Sequence, residues 1–179
     1  MRLMKIKMLL LCGVILGACS KSKPRKPIDP KPSTTIFQKT IEESRQLNKV
    51  EEEKIEQLIQ KDSTHTYTNS LNGFWYTYVK KIEEDKPTPK AGDIAVIEYD
   101  IRSLNDSIIY SKEELGVKNY HVDKEDFISG IQKGIKLMKI GETITFVVPS
   151  YNAFGISGDG NKIGINKSIK STVTLLNIN

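Results

Sequence analysis

The stretch 123–155, DKEDFISGIQKGIKLMKIGETITFVVPSYNAFG, decides the fold of this 179-residue chain. Phe127, Ile131, Ile135 and Met138 recur at helical spacing, with Ile128 beside them and Lys133, Lys136 and Lys139 off that face. The pattern predicts a short amphipathic helix with Asp126 at its N-capping position. Gly130 and Gly134 lie one turn apart inside it, where each glycine costs up to ~1 kcal/mol relative to alanine. Such a pair predicts close backbone approach by a neighbouring strand. Ile140-Gly141-Glu142 reads as a tight turn. Beyond it Thr143, Thr145 and Val147 alternate with Ile144, Phe146 and Val148, a strand that Pro149 closes.

Upstream, Lys61 to Gly73 is polar and turn-rich, and His65 within it reads as a surface or capping residue. Phe74 to Val79 is aromatic and β-branched, hence a strand. The next strand, Asp93 to Arg102, puts Ile94, Val96 and Glu98 on one face and Ala95, Ile97 and Tyr99 on the other. Asn105-Asp106-Ser107 turns the chain into its hairpin partner, Ile108 to Tyr110. Val117 to Asp123 makes a short strand with Tyr120 and Val122 on one side and His121 facing solvent. Ser168 to Ile178 alternates as a closing strand. Five or six strands wrapped around one short helix make an α+β domain, spanning 63–179.

The N-terminal third reads differently. Arg2, Lys5 and Lys7 precede a short apolar run, Met8 to Leu16, too short to span a bilayer as a mature helix. Leu16-Gly17-Ala18-Cys19 resembles the bacterial lipobox, which makes residues 1–18 a signal peptide and Cys19 a lipidated N-terminus. The alternative is an ordinary signal peptide with a chance cysteine. Removing 1–18 takes three of the 27 basic residues, leaving 24 against 22 acidic ones, net +2 in place of +5. The basic charge therefore gives no case for nucleic acid binding. Residues 19–35 hold four of the seven prolines and form an extended, lysine-rich tether. In residues 36–62, Phe37, Ile41, Leu47, Val50, Ile55, Leu58 and Ile59 mark an amphipathic helix, and Glu51-Glu52-Glu53 reads as its solvated face. Its apolar stripe packs either on the domain or on a second copy as a homodimer.

No nucleophile elbow, phosphate-binding loop or metal set emerges. Gly155-Ile156-Ser157-Gly158-Asp159 breaks G-x-S-x-G, and Asp159 and Asn161 lack the distal glutamate of a calcium loop. With Cys12 in the signal and Cys19 lipidated, no thiol remains, and no cofactor or metal is expected. The ordered set Phe127-Ile128, Gly130, Gly141-Glu142 and Pro149 to Gly155 instead resembles the core of the FK506-binding-protein (FKBP) family of peptidyl-prolyl cis/trans isomerases. The resemblance implies an FKBP-like antiparallel sheet around the helix, with proline-containing polypeptides as clients. It also assigns catalytic roles to Tyr99, Tyr120, Phe127, Ile128 and Phe154, the Ile128 N–H being free to hold a ligand carbonyl. Ile109, Tyr110, Ile131 and Ile163 fall at further pocket-wall positions. The pocket so transferred stays apolar but lacks the family's acid, indole and one hydroxyl.

Lys61 to Tyr67 and Gly73 to Tyr76, behind a lipobox, are similar to FKBP-like lipoproteins associated with gliding motility in Bacteroidetes. No acidic pair follows Cys19, so an outer-membrane position facing the periplasm is expected over the cell surface. The resulting expectation is a membrane-anchored isomerase that assists folding of envelope or secreted proteins. The alternative is a non-catalytic chaperone or binding subunit of a motility or secretion machine.

Overall fold

Gly130 and Gly134 set the spacing at the centre of the fold. In the computed structural model, which describes residues 34–179 and side chains from residue 37, a Cβ on Gly130 would lie 2.5 Å from Val148 Cγ1. One on Gly134 would lie 2.7 Å from Phe146 Cζ. The glycines let the helix backbone rest directly on the side chains of the strand that follows it. The propensity cost of two glycines is offset by that close packing. The signal peptide, Cys19 and most of the tether lie outside the described residues.

In chain order the elements are α1 (Thr34–Lys61), β1 (Thr68–Asn69), β2 (Trp75–Lys80), β3 (Ile94–Tyr99), β4 (Ile101–Arg102) and β5 (Ile108–Tyr110). Then come α2 (Lys112–Leu115), β6 (Lys118–His121), α3 (Ser129–Ile135), β7 (Thr143–Val148), a 3₁₀ turn (Ser150–Asn152) and β8 (Ile169–Ile178). The strands form one antiparallel sheet in the order β1-β2-β7-β8-β3-β6, with the β4–β5 hairpin attached to β8. Residues 40–179 form one compact unit. The α+β class, with a sheet wrapped around a short helix, is what the residue patterns predict.

Alternation along β7 explains both faces of the sheet. Ile144, Phe146 and Val148 point to α3 and the main core, with Ile97, Tyr120, Ile131, Ile135, Met138 and Leu175. Val147 points the other way and is buried with Trp75 and Ile55 of α1. The long helix therefore covers the back of the sheet at β2 and β7. Only its C-terminal half does so. Leu47 is 65 % exposed and Val50 48 %, whereas Ile55 is fully buried, so the stripe predicted for 36–62 is buried only towards its end.

Two local readings need correction, and one element had no reading. Glu51 and Glu52 are not a solvated face: Glu51 accepts hydrogen bonds from the Ser150 N–H and hydroxyl, both at 2.8 Å, and from the Ser168 hydroxyl. Glu52 accepts one from the Tyr151 hydroxyl at 2.5 Å. A surface charge run gave no hint of partners 99 residues away in sequence. Asp126 does not cap α3. The helix starts at Ser129, and Ile128 occupies the N-cap position in extended conformation without a side-chain cap bond. Gln132 explains this, because its amide donates to the carbonyls of Glu125 (3.3 Å) and Phe127 (3.1 Å) and holds the preceding segment out of the helix. Finally, Ser111 caps α2, a single turn with no periodic signal of its own.

Candidate active site

The segment that Gln132 holds out of the helix supplies one wall of a cavity of about 410 Å³. Asp126, Phe127 and Ile128 face Tyr99 of β3, Ile101 of β4, Tyr110 of β5 and Leu115 of α2 across it. Ala153, Phe154 and Asp159 close the remaining side. The Phe127 ring meets Tyr99 edge-on at 5.3 Å between centroids and 89°. Lys118 places its ammonium 5.3 Å from the same ring while pairing with Glu125. Such ring contacts contribute about 0.5–1.5 kcal/mol each beyond area burial, so the aromatic wall is held in place.

Two donors in this apolar cavity have no acceptor among the described residues. One is the Ile128 N–H, and the other is the Tyr99 hydroxyl. Burial first, and then the nearby Glu125 charge, push the Tyr99 hydroxyl above its ordinary pKa, so at neutral pH it keeps its proton to donate. Phe154 brings a ring without a hydroxyl.

Residues singled out in the sequence divide between wall and core. Tyr99, Tyr110, Phe127, Ile128 and Phe154 line one cavity. Tyr120 does not. It is fully buried behind Phe127, 5.5 Å between centroids, and its hydroxyl accepts the Asp123 N–H at 3.3 Å. Ile131 and Ile163 are core residues, and half-buried Ile109 packs against that core without reaching the cavity. Tyr120 stands one layer deeper than the wall, behind the Phe127 ring, and alternation along a single strand does not show how many layers cover its inner face. Sequence reasoning missed Ile101, Leu115, Ala153, Asp126 and Asp159 as wall residues. Ile101 was readable, two residues beyond Tyr99 on the same face. Leu115 was not, because α2 was not.

Asp159 forms a latch. Its Oδ2 accepts from the Tyr110 hydroxyl at 2.5 Å, and its Oδ1 accepts from the N–H groups of Asn161 and Ile163, both at 2.8 Å. Lys162 packs its ammonium 4.5 Å from the Tyr110 ring centroid and pairs with Glu114. Burial opposes the charged form of Asp159, but the Tyr110 hydroxyl and the backbone donors prevail and hold its carboxyl below the ordinary range. The hydrogen bond to Asp159, with burial second, raises Tyr110 above its ordinary value. A carboxyl lowered in the folded state contributes stability above its unfolded pKa of about 4, lost as pH falls through the folded value. A phenol raised in the folded state contributes below about 10, lost as pH rises through its folded value. Amide-exchange protection at Ile163 should thus hold across that window and fall towards acid. Unchanged protection in Asp159→Asn would show that the latch does not order the loop.

A larger hollow of about 790 Å³ lies between α1 and the loops, lined by Leu47, Val50, Glu51, Leu104, Tyr151 and Ile156 among others. Glu51, its charged acceptor, is spent on Ser150 and Ser168. The smaller cavity carries the aromatic wall and the free donors, and the chemistry is therefore placed there. The two hollows share the segment 150–156, whose base α1 pins through Glu51 and Glu52.

Residues 85–176, just over half of the chain, match the family model of FKBP-type peptidyl-prolyl cis-trans isomerases. The chain belongs to that family. A probable FKBP-type peptidyl-prolyl cis-trans isomerase of Neisseria meningitidis serogroup B is 28% identical over 142 residues, 78% of this chain and 51% of the relative. The chain thus spans about half the length of that curated relative. A crystal structure of a peptidyl-prolyl cis-trans isomerase from Pseudomonas syringae pv. tomato superposes with a TM-score of 0.61 at 19% identity. The superposition covers 75% of this chain and 95% of that one, and shows a shared fold. The FKBP match starts at residue 85, so α1, β1 and β2 lie outside it, although β2 pairs with β7 along its length.

Proposed function

We propose that this FKBP-family chain is a peptidyl-prolyl cis/trans isomerase acting through the cavity between Tyr99, Phe127 and Phe154. The observation that carries the reading is an apolar aromatic cavity with two uncommitted donors, the Ile128 N–H and the Tyr99 hydroxyl. The barrier to rotation about an X–Pro amide is the loss of resonance across a partial double bond, ~18–20 kcal/mol in an ordinary amide. The twisted amide is less charge-separated than the planar one, so a dry wall favours it, while the donors hold flanking carbonyls in place. No covalent step or proton transfer is required. The Tyr99 hydroxyl supplies the donor that Phe154 lacks. A peptide assay on wild type, Phe154→Tyr and Phe154→Ala tests the reading. Turnover above background that falls in Phe154→Ala is expected; three rates at background sink it. That result would leave the alternative, a non-catalytic binding or chaperone subunit.

The setting proposed is the bacterial envelope, with lipid on Cys19 in an outer membrane facing the periplasm, and with envelope or secreted proteins as clients. The lipobox supports the anchor, and the resemblance of Lys61 to Tyr67 and Gly73 to Tyr76 supports a role in gliding motility. Among the described residues no helix is long and apolar enough to cross a membrane. Cys19→Ser should move the protein from the membrane pellet to the soluble fraction. Continued pelleting in high salt would place the anchor elsewhere.

A further inference from the structure

The cavity wall contains a carboxylate that neither the fold nor the latch uses. Asp126 is exposed at the cavity, and its side chain has no hydrogen bond or ion pair among the described residues. Nor does it cap α3, the role its sequence position suggested. The charged neighbours are otherwise matched. Glu114 pairs with Lys162 and Glu125 with Lys118. Asp159, also in the wall, keeps its negative charge, because Tyr110 and the backbone donors that satisfy it are neutral. Lys124, two residues before Asp126, is exposed and is not part of the wall. The cavity thus presents two carboxylates and no unpaired cation in its own lining.

We propose that Asp126 is a specificity-determining residue that selects proline segments carrying lysine or arginine next to the proline. This rests on the isomerase reading of the same cavity. A ligand carbonyl on the Ile128 N–H brings the neighbouring residue of an extended chain past Asp126, two residues away, within reach of a long basic side chain. Asp126 is exposed, so the attraction is that of an exposed pair. Attraction of a lysine and repulsion of a glutamate together give a selectivity of roughly fivefold to tenfold. Because that preference arises from charges near the surface, it shrinks as salt rises.

The test uses the full chain and three peptides identical except for Lys, Leu or Glu immediately before proline, with a second set carrying the same residues immediately after it. Rates are measured without a coupling protease, whose own preferences would intrude. In at least one set, kcat/KM for the lysine peptide should exceed that for the glutamate peptide by roughly fivefold or more at low salt. Asp126→Asn should reduce that ratio at least threefold, and Asp126→Glu should keep it. Only the ratio is read, so a change in overall rate does not confuse the outcome. A wild-type ratio of one or below in both sets, or a ratio that survives Asp126→Asn, overturns the inference. If no peptide is turned over, the isomerase reading fails by itself. The selectivity is then read from dissociation constants of the same peptides by calorimetry, where equal affinities or no binding overturn it.

Discussion

Phe127→Ala should lower kcat/KM on an X–Pro peptide by roughly 10²-fold, about 2.7 kcal/mol of transition-state stabilisation, while the protein stays folded. Phe127 is half-buried and precedes α3, so none of the contacts that seat the helix on β7 depends on it. Its ring does join the parts of the cavity. It stands edge-on to Tyr99 at 5.3 Å, lies over Tyr120 at 5.5 Å, and carries the Lys118 ammonium at 5.3 Å. Without it Tyr99 loses its orienting partner and water enters beside the Ile128 N–H. Both effects weaken stabilisation of a twisted amide more than of a planar one. Phe127→Leu, which keeps the wall dry without the ring, should recover part of the rate. Rates on the peptide and a denaturation curve for each variant check the result together. A Phe127→Ala protein with wild-type turnover would move the reaction out of this cavity.

Ile55→Ala should cost about 2–5 kcal/mol of stability, as large-to-small changes at fully buried sites do. Ile55 is 0 % exposed against Trp75 and Val147, on the face of the sheet opposite α3. Truncation leaves a cavity that the docked helix cannot fill, because Glu51, one turn earlier, is tied to Ser150 and Ser168. Leu47→Ala, on the same stripe but 65 % exposed, should change stability by no more than about 0.5 kcal/mol. Equilibrium unfolding in urea measures both. Trp75, the chain's single tryptophan, reports locally, since its emission should shift to the red if the helix lifts away. Equal effects at residues 47 and 55 would show that the helix does not dock as described.

The α+β class, the strands at 94–99, 143–148 and 169–178, and the close helix–strand contact were legible in the sequence alone. Each is written in local periodicity or in a residue type that tolerates a single geometry, as Gly130 and Gly134 do beneath Val148 and Phe146. The ring-bearing wall residues Tyr99, Phe127 and Phe154 were reached through the family resemblance, and they line one cavity. What only the tertiary structure decided is which residues meet across long separations. Tyr120 went to the core, behind the Phe127 ring, and Asp126 went to the cavity mouth, because Gln132 holds residues 125–127 out of the helix and delays its start to Ser129. Glu51 became an anchor because Ser150 and Ser168 converge on it from more than ninety residues away. Hydrogen bonds of that range leave no periodic trace along the chain. A carboxylate destined for a buried partner and one destined for solvent therefore look alike until the sheet brings the partner to it.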